Sequence, residues 1–173
     1  MTDTSNLSAV RAAYDAVALD YARRFGTELS RRPLDRAMLA AFAEHVRGEA
    51  GGGGRAVADL GCGPGRVTAH LDALGVRAFG VDLSPAMVAV ARRTYPGLRF
   101  EVGSMPALDI ADGVLGGVLA CWPPGARTDV HRTPPGLVAE RLARAGLAEV
   151  ARMVREPDGD EECPQGFVLA RKP

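Results

Sequence analysis

Two carboxylates and three glycines carry the chemistry open to this sequence. Asp59 stands directly before Leu60-Gly61-Cys62-Gly63-Pro64-Gly65, and Asp82, seventeen residues after Gly65, ends Ala78-Phe79-Gly80-Val81-Asp82. Each acid sits at the end of a short apolar run. A backbone with three glycines at alternate positions can turn sharply and let a ligand lie against it. The N–H groups opening the helix that follows have no partner inside that helix, so they are expected to face the ligand. A carboxylate at Asp82 can accept hydrogen bonds from both hydroxyls of a ribose.

The flanking pattern supplies the elements that must position these groups. Val57 to Leu60 reads as a strand, and Val67, Leu71 and Leu74, closed by Gly75, read as a helix. A strand–helix–strand unit then brings Asp82 to the tip of the strand beside the glycine turn. Ser84 is a good N-cap with Pro85 at the first helical position, and Met87, Val90, Ala91 and Tyr95 give that helix an apolar face. His70 reads as a surface or packing residue. Leu98 to Val102 alternates as a strand and runs into Gly103-Ser104-Met105-Pro106, and Val114 to Cys121 is a fourth strand ending in Ala120-Cys121-Trp122. Thr133 and Pro134-Pro135 cap a last helix with Leu137, Val138, Leu142 and Ala145 apolar and Gly146 as its stop. Strands near Ala148–Val154 and Gly166–Ala170, joined by a polar turn around Pro157–Glu162, form an antiparallel hairpin.

Upstream, residues 1–6 read as a disordered start. Val10, Tyr14, Val17 and Tyr21 recur at helical spacing, and a second helix after Pro33 carries Leu34, Met38, Phe42 and Val46 on one face. Gly51 to Gly54 is a flexible joint. The expected organisation is one domain over 1–173, with a helical leader or lid at 1–50, the joint at 51–54, a cofactor-binding half at 55–122 and a carboxyl-terminal half at 123–173.

Composition narrows the classes. The 173 residues are 47% hydrophobic and 24% charged, with 21 Lys plus Arg against 21 Asp plus Glu. That balance, with no block of like charge, gives no reason to expect nucleic acid or an anionic membrane as a partner. The apolar runs are too short to span a bilayer, and the polar amino terminus lacks the layout of a signal peptide. Cys62, Cys121 and Cys163 are few, scattered and without metal-ligand spacing, so no metal and a reduced cytoplasmic setting are expected.

Asp-Leu-Gly-Cys-Gly-Pro-Gly at 59–65, followed by Val-Asp-Leu-Ser-Pro-Ala-Met at 81–87, resembles the first two cofactor motifs of class I S-adenosylmethionine-dependent methyltransferases. NAD-binding folds also use a glycine turn, but their pattern is Gly-x-Gly-x-x-Gly, whereas this chain has Gly-x-Gly-x-Gly after Asp-Leu. The resemblance implies an α/β fold: a Rossmann-like, doubly wound, mostly parallel sheet with an antiparallel carboxyl-terminal hairpin and an amino-terminal helical lid. It implies S-adenosyl-L-methionine as cofactor and S-adenosyl-L-homocysteine as product. Asp82, with Leu83 beside it, would hold the ribose. Asp59 would orient the methionine amino group, partly through the Gly61 backbone, with Cys62 in the turn and Gly63 and Gly65 admitting the backbone. Gly103, Ser104 and Met105 would meet the adenine, Ser104 standing where the family commonly has Asp. Ala120 would lie by the methionine half.

Several residues have two readings. Tyr14-Asp15-Ala16-Val17-Ala18-Leu19-Asp20-Tyr21 is similar to a lid segment of related methyltransferases, so Tyr14 and Tyr21 either wall the cofactor or substrate or simply pack. Met87 either lines the adenine or fills the core. Trp122 walls the methyl-transfer site or plugs the core. His131 is a weak candidate for a general base or a binder of an acidic substrate group, set against a polar loop histidine.

The sequence departs from the family after the fourth strand. A long helix, a fifth strand and a further helix are expected there, and Pro123-Pro124-Gly125-Ala126-Arg127-Thr128 stands instead. An interior gap in a sheet is costly because buried N–H and C=O groups lose their partners. Two repairs are open: the final strand pairs directly with the fourth in a six-stranded sheet, or a second chain lends a strand in an intertwined homodimer, which the Pro-rich crossing at 123–125 would suit as a stiff hinge. The leading functional expectation is methyl transfer to a small-molecule O or N acceptor. Its rivals are a methyltransferase-like binding protein that has lost or repurposed transfer and, more weakly, an NAD-dependent oxidoreductase.

Overall fold

A computed structural model of the chain describes residues 3–48, 55–105, 115–121, 135–156 and 165–171. Six strands, β1 (Ala56–Leu60), β2 (Ala78–Asp82), β3 (Phe100–Val102), β4 (Leu115–Cys121), β5 (Ala148–Arg155) and β6 (Gln165–Arg171), form one sheet in the order β3-β2-β1-β4-β6-β5. The first four run parallel. β6 is antiparallel to β4, and β5 is antiparallel to β6. The helices are α1 (Asp3–Phe25), α2 (Pro33–Gly48), α3 (Arg66–Ala73), α4 (Pro85–Thr94) and α5 (Pro135–Arg144), with a 3-10 turn at Glu28–Arg31.

β1 is apolar on both faces because the sheet is covered on both sides, as parallel strands require. Alternate residues face opposite ways. Ala58 and Leu60 meet Val138 and Leu142 of α5 on one face. Val57 joins Leu39 and Phe42 of α2 and Leu71 of α3 on the other. Gly117 of β4 lets α2 approach: a Cβ there would lie 3.2 Å from Phe42 Cζ and 3.3 Å from Val46 Cγ1.

The place where a fifth strand is expected is taken by β6. It pairs with β4 from Gly117 opposite Arg171 to Cys121 opposite Phe167. The sheet therefore closes within one chain by the first of the two repairs, with the hydrogen-bonding edge of β4 satisfied. β5 is left as the edge strand. It is tied to α2 by Arg155 and Asp35, a bidentate ion pair with Nε–Oδ1 at 2.7 Å and Nη2–Oδ2 at 3.1 Å.

Three details differ from expectation. α1 already includes Asp3 to Asn6, so the helix starts inside the segment expected to be disordered. Its buried side is set by Ala18 and Tyr21, whereas Val17 is 41% exposed. The reason is that α1 packs on α4 rather than on the sheet, so only a narrow seam of Tyr14, Ala18, Tyr21 and Phe25 is covered. In α2, Leu39 and Phe42 are buried and Leu34 is 62% exposed, because the first turn of that helix lies over the sheet edge at Arg155. The Gly51–Gly54 joint, the Pro-rich crossing at 123–125, Trp122, His131 and the 157–162 turn lie outside the described residues. Among the described residues no helix is long and apolar enough to cross a membrane.

Candidate functional site

The turn between β1 and α3 is built on backbone that only glycine adopts freely. Gly61, Gly63 and Gly65 have φ of 75°, 53° and 87°. Gly65 is also required by packing, since a Cβ there would lie 2.7 Å from Phe100 Cζ and 3.1 Å from Ala91 Cβ. Gly63 is different: a Cβ there would meet nothing within 4 Å, so this residue borders open space. Cys62 turns under the loop. Its side chain is 6% exposed and packs with Val88, Ala91 and Phe100, and burial pushes its thiol pKa up, which keeps it protonated.

The first amides of the turn are directed towards β2. Gly61 and Cys62 both donate to the Val81 carbonyl, at 2.8 and 3.2 Å. Gly63 donates to Asp82 Oδ2 at 2.8 Å. The turn is stitched to β2 by these bonds.

Asp82 sits at the carboxyl end of β2. Its Oδ1 accepts the Ser84 N–H at 2.8 Å, and its main-chain carbonyl accepts the Gly103 N–H at 2.9 Å. Burial pushes its carboxyl pKa up, and the Ser84 and Gly63 amides pull it back. Each carboxylate oxygen keeps a further lone pair. Asp59 is fully buried. Its Oδ2 accepts the Thr68 hydroxyl at 2.6 Å, while its Oδ1 is buried without a hydrogen-bond partner among the described residues. Burial raises its pKa to about 6, against the hydrogen bond from Thr68. A buried acceptor with no donor is costly, and a cationic donor is the group that would satisfy it best.

Residues 57–133 match a family model described as a methyltransferase domain. Over that stretch, which is less than half of the chain, the sequence is similar to the methyltransferase-domain family. A trans-aconitate 2-methyltransferase from Methylobacterium nodulans is 47% identical over 55 residues, which are 31% of this chain and 21% of the relative. A demethylmenaquinone methyltransferase from Chlorobaculum parvum is 29% identical over 114 residues, 65% of this chain and 46% of the relative. In both cases the matched region spans less than half the length of the curated relative. Among solved structures, magnesium protoporphyrin IX methyltransferase from Synechocystis aligns over 100% of both chains with a TM-score of 0.67 at 13% identity. A TehB-like S-adenosylmethionine-dependent methyltransferase from Corynebacterium glutamicum has a TM-score of 0.53 at 20% identity, covering 91% of this chain and 99% of that one. At these identities the likeness is one of fold.

The residues present fit the methyltransferase cofactor. Its sugar hydroxyls suit the remaining lone pairs of Asp82, its amino group suits the idle oxygen of Asp59, and Gly63, bonded to Asp82, borders open space. Gly103, Ser104 and Met105 follow β3, whose Val102 pairs with Asp82, so they stand beside the same acid. Met105 is 46% exposed. Leu83 is half-buried between Asp82 and Ser84. Ala120 pairs with Leu60 at the carboxyl end of β4, with its side chain in the core under α5. Met87 and Tyr21 are buried in the α1–α4 seam, where Tyr14 is partly buried. Among the described residues no group of three or more His, Cys, Asp or Glu is placed to hold a metal.

Two residues at the site escape sequence reasoning. Asp15 of α1 accepts the Ser84 hydroxyl at 2.5 Å and the Ala86 N–H at 3.0 Å. These bonds, the hydroxyl first, hold its pKa below the usual carboxylate value. Arg66, directly after Gly65, donates to the Phe25 carbonyl at 2.9 Å and lies 3.1 Å from Glu28. The available signal was weak. Asp15 shares a helical face with Ala18 and Ala22, both in or against the buried seam, and an acid on a buried face needs a partner.

Proposed function

We propose that this chain binds S-adenosylmethionine at the carboxyl ends of β1, β2 and β3 and catalyses transfer of its methyl group to a small-molecule acceptor with an O or N nucleophile. The observation that carries the reading is the pair of acids at the glycine turn: Asp82 bonded to the Gly63 amide, and Asp59 with one buried oxygen idle. When bound, the cofactor supplies a methyl group already activated by its positive sulfur. The protein's share is to align and to exclude water. Asp82 holds the ribose, Asp59 holds the amino group, and Ser104 with Met105 meets the adenine. A base is needed only for a nucleophile whose proton has a high pKa, so the site works without an obvious one. The relatives' named acceptors, trans-aconitate and demethylmenaquinone, favour a small-molecule screen.

The experiment is a calorimetric titration with S-adenosylhomocysteine on the wild type and on Asp82→Ala, followed by an acceptor screen that reads S-adenosylhomocysteine formation. Micromolar binding lost in the variant supports the site, and turnover with any acceptor supports the activity. A second reading, a cofactor-binding protein without transfer, is favoured by one observation: β6 stands directly beside β4, with no strand between them. Binding without turnover across the screen would select it. An exchanged homodimer would make the same β4–β6 pairing with β6 lent by the partner chain. A monomeric mass by light scattering at low micromolar concentration removes it.

A further inference from the structure

We propose that Asp15 is a positioning residue that couples the docking of α1 to the ribose acid Asp82, through Ser84. The inference rests on the cofactor reading above and adds to it a linkage between lid and site.

The atoms form an unbroken chain. Asp15 Oδ1 accepts the Ser84 hydroxyl and the Ala86 amide. Ser84 is fully buried, and while its hydroxyl donates to Asp15, its Oγ accepts the Met87 amide at 3.1 Å. Its own amide donates to Asp82 Oδ1, and Asp82 Oδ2 takes the Gly63 amide. A helix sixty-nine residues away in sequence is thereby hydrogen-bonded, by way of one serine, to the carboxylate at the tip of β2 and to the glycine turn. With α1 lifted, the Ser84 hydroxyl and the Ala86 amide would both lose their carboxylate acceptor. The segment that orients Asp82 would then loosen.

α1 is also fixed at its other end. The Phe25 carbonyl and Glu28 both engage Arg66, the residue that opens α3 after the glycine turn. Between the two attachments Ala18 and Tyr21 pack on Met87 and Val90. The helix thus straps the two loops that carry Asp82 and Gly63. A ligand that binds the Asp82 carboxylate in its held orientation must favour docked α1, and by linkage docked α1 must favour the ligand by the same factor. Among the described residues, two charged groups face Asp15: Arg11, 3.7 Å away one turn earlier, and the Asp82 carboxylate, whose like charge opposes that of Asp15.

The test measures S-adenosylhomocysteine affinity for the wild type, Asp15→Ala, Asp15→Asn and Ser84→Ala, together with tryptic cleavage inside α1 with and without that ligand. Asp15→Ala should weaken binding about tenfold, and the ligand should no longer slow cleavage in α1. Asp15→Asn keeps an acceptor oxygen and should restore most of both. Ser84→Ala keeps the amide on Asp82 but breaks the side-chain link, and should lose about as much as Asp15→Ala, so the proposal stays testable if one of the two fails to fold. Wild-type affinity in folded Asp15→Ala overturns the coupling and leaves the cofactor reading standing. No binding by the wild type overturns the cofactor reading, and the coupling with it.

Discussion

The Gly63 amide and the Asp82 carboxylate are hydrogen-bonded at 2.8 Å, so the glycine turn and the acid of the neighbouring strand form one rigid unit. The two motifs that a ligand would meet are held against each other before any ligand arrives. Pre-organisation of this kind lowers the ordering cost of binding.

Replacing Asp82 by Asn tests that unit. The side-chain NH2 cannot accept, so either the Gly63 or the Ser84 amide loses its partner. The expected cost is about 1–3 kcal/mol, a fall in Tm of several degrees, with S-adenosylhomocysteine affinity down at least about tenfold. Melting and calorimetry on the same sample read both. An unchanged Tm would mean that the carboxylate is not holding the turn.

Two glycines should fail in different ways when changed to Ala. At Gly80 a Cβ would lie 2.6 Å from Phe100 Cδ1 and 2.7 Å from Cys62 Sγ, so Gly80→Ala overpacks the core and should cost about 1–3 kcal/mol. At Gly63 the methyl has room but the backbone is left-handed, which costs about 1–2 kcal/mol, and the methyl projects into the open space beside Asp82. Relative to its Tm loss, Gly63→Ala should therefore impair ligand binding more. Equal ratios of affinity loss to Tm loss would contradict the assignment.

Asp59 sets stability against binding. Burial lifts its pKa from 3.8 to about 6. A raised carboxyl pKa means that the folded state holds the proton more tightly than the unfolded chain does. The penalty of the buried charge is therefore in force above about pH 6 and relieved as pH falls towards 4, a difference on the order of 3 kcal/mol. Asp59→Asn should raise the Tm of the ligand-free protein at pH 8, with the gain shrinking towards pH 5, and should weaken S-adenosylhomocysteine binding at pH 8. Paired melting curves across that range check the sign.

The Asp35–Arg155 pair, with side chains 9% and 11% exposed, fastens the edge strand β5 to α2. Removing Arg155 leaves the nearly buried Asp35 carboxylate without this ion-pair partner and should cost about 3–5 kcal/mol, and removing Asp35 should cost less because Arg155 also donates to the Glu156 carbonyl. Replacing both with apolar residues, Asp35→Leu with Arg155→Met, should recover most of that loss. Urea denaturation of the single and double variants gives the comparison.

What could be read in the sequence follows from how local each cause is. The glycine turn, the Ser84-Pro85 cap and the strands carrying Asp59 and Asp82 are dictated by residues within one element, and they stand where expected. The burial of Ala18 instead of Val17 depends on which neighbour α1 meets, and helical spacing alone does not name that neighbour. Pairing of β6 with β4 was one of two solutions, because hydrogen-bonding capacity demands a partner strand without specifying which chain supplies it. Asp15 was hidden for the same reason: its partners Ser84 and Ala86 are brought to it only by tertiary packing.

The seam where β4 meets β6 separates two parts of the molecule with different jobs. Among the described residues, every acid, glycine and amide that meets at the carboxyl ends of β1, β2 and β3 precedes residue 106, and the hairpin beyond the seam contributes a hydrophobic flank and an edge. An antiparallel register needs only alternating small and apolar residues to be rebuilt. The carboxyl-terminal piece is thus a natural splice point, where a longer segment from a relative could be grafted while the amino-terminal half is left untouched.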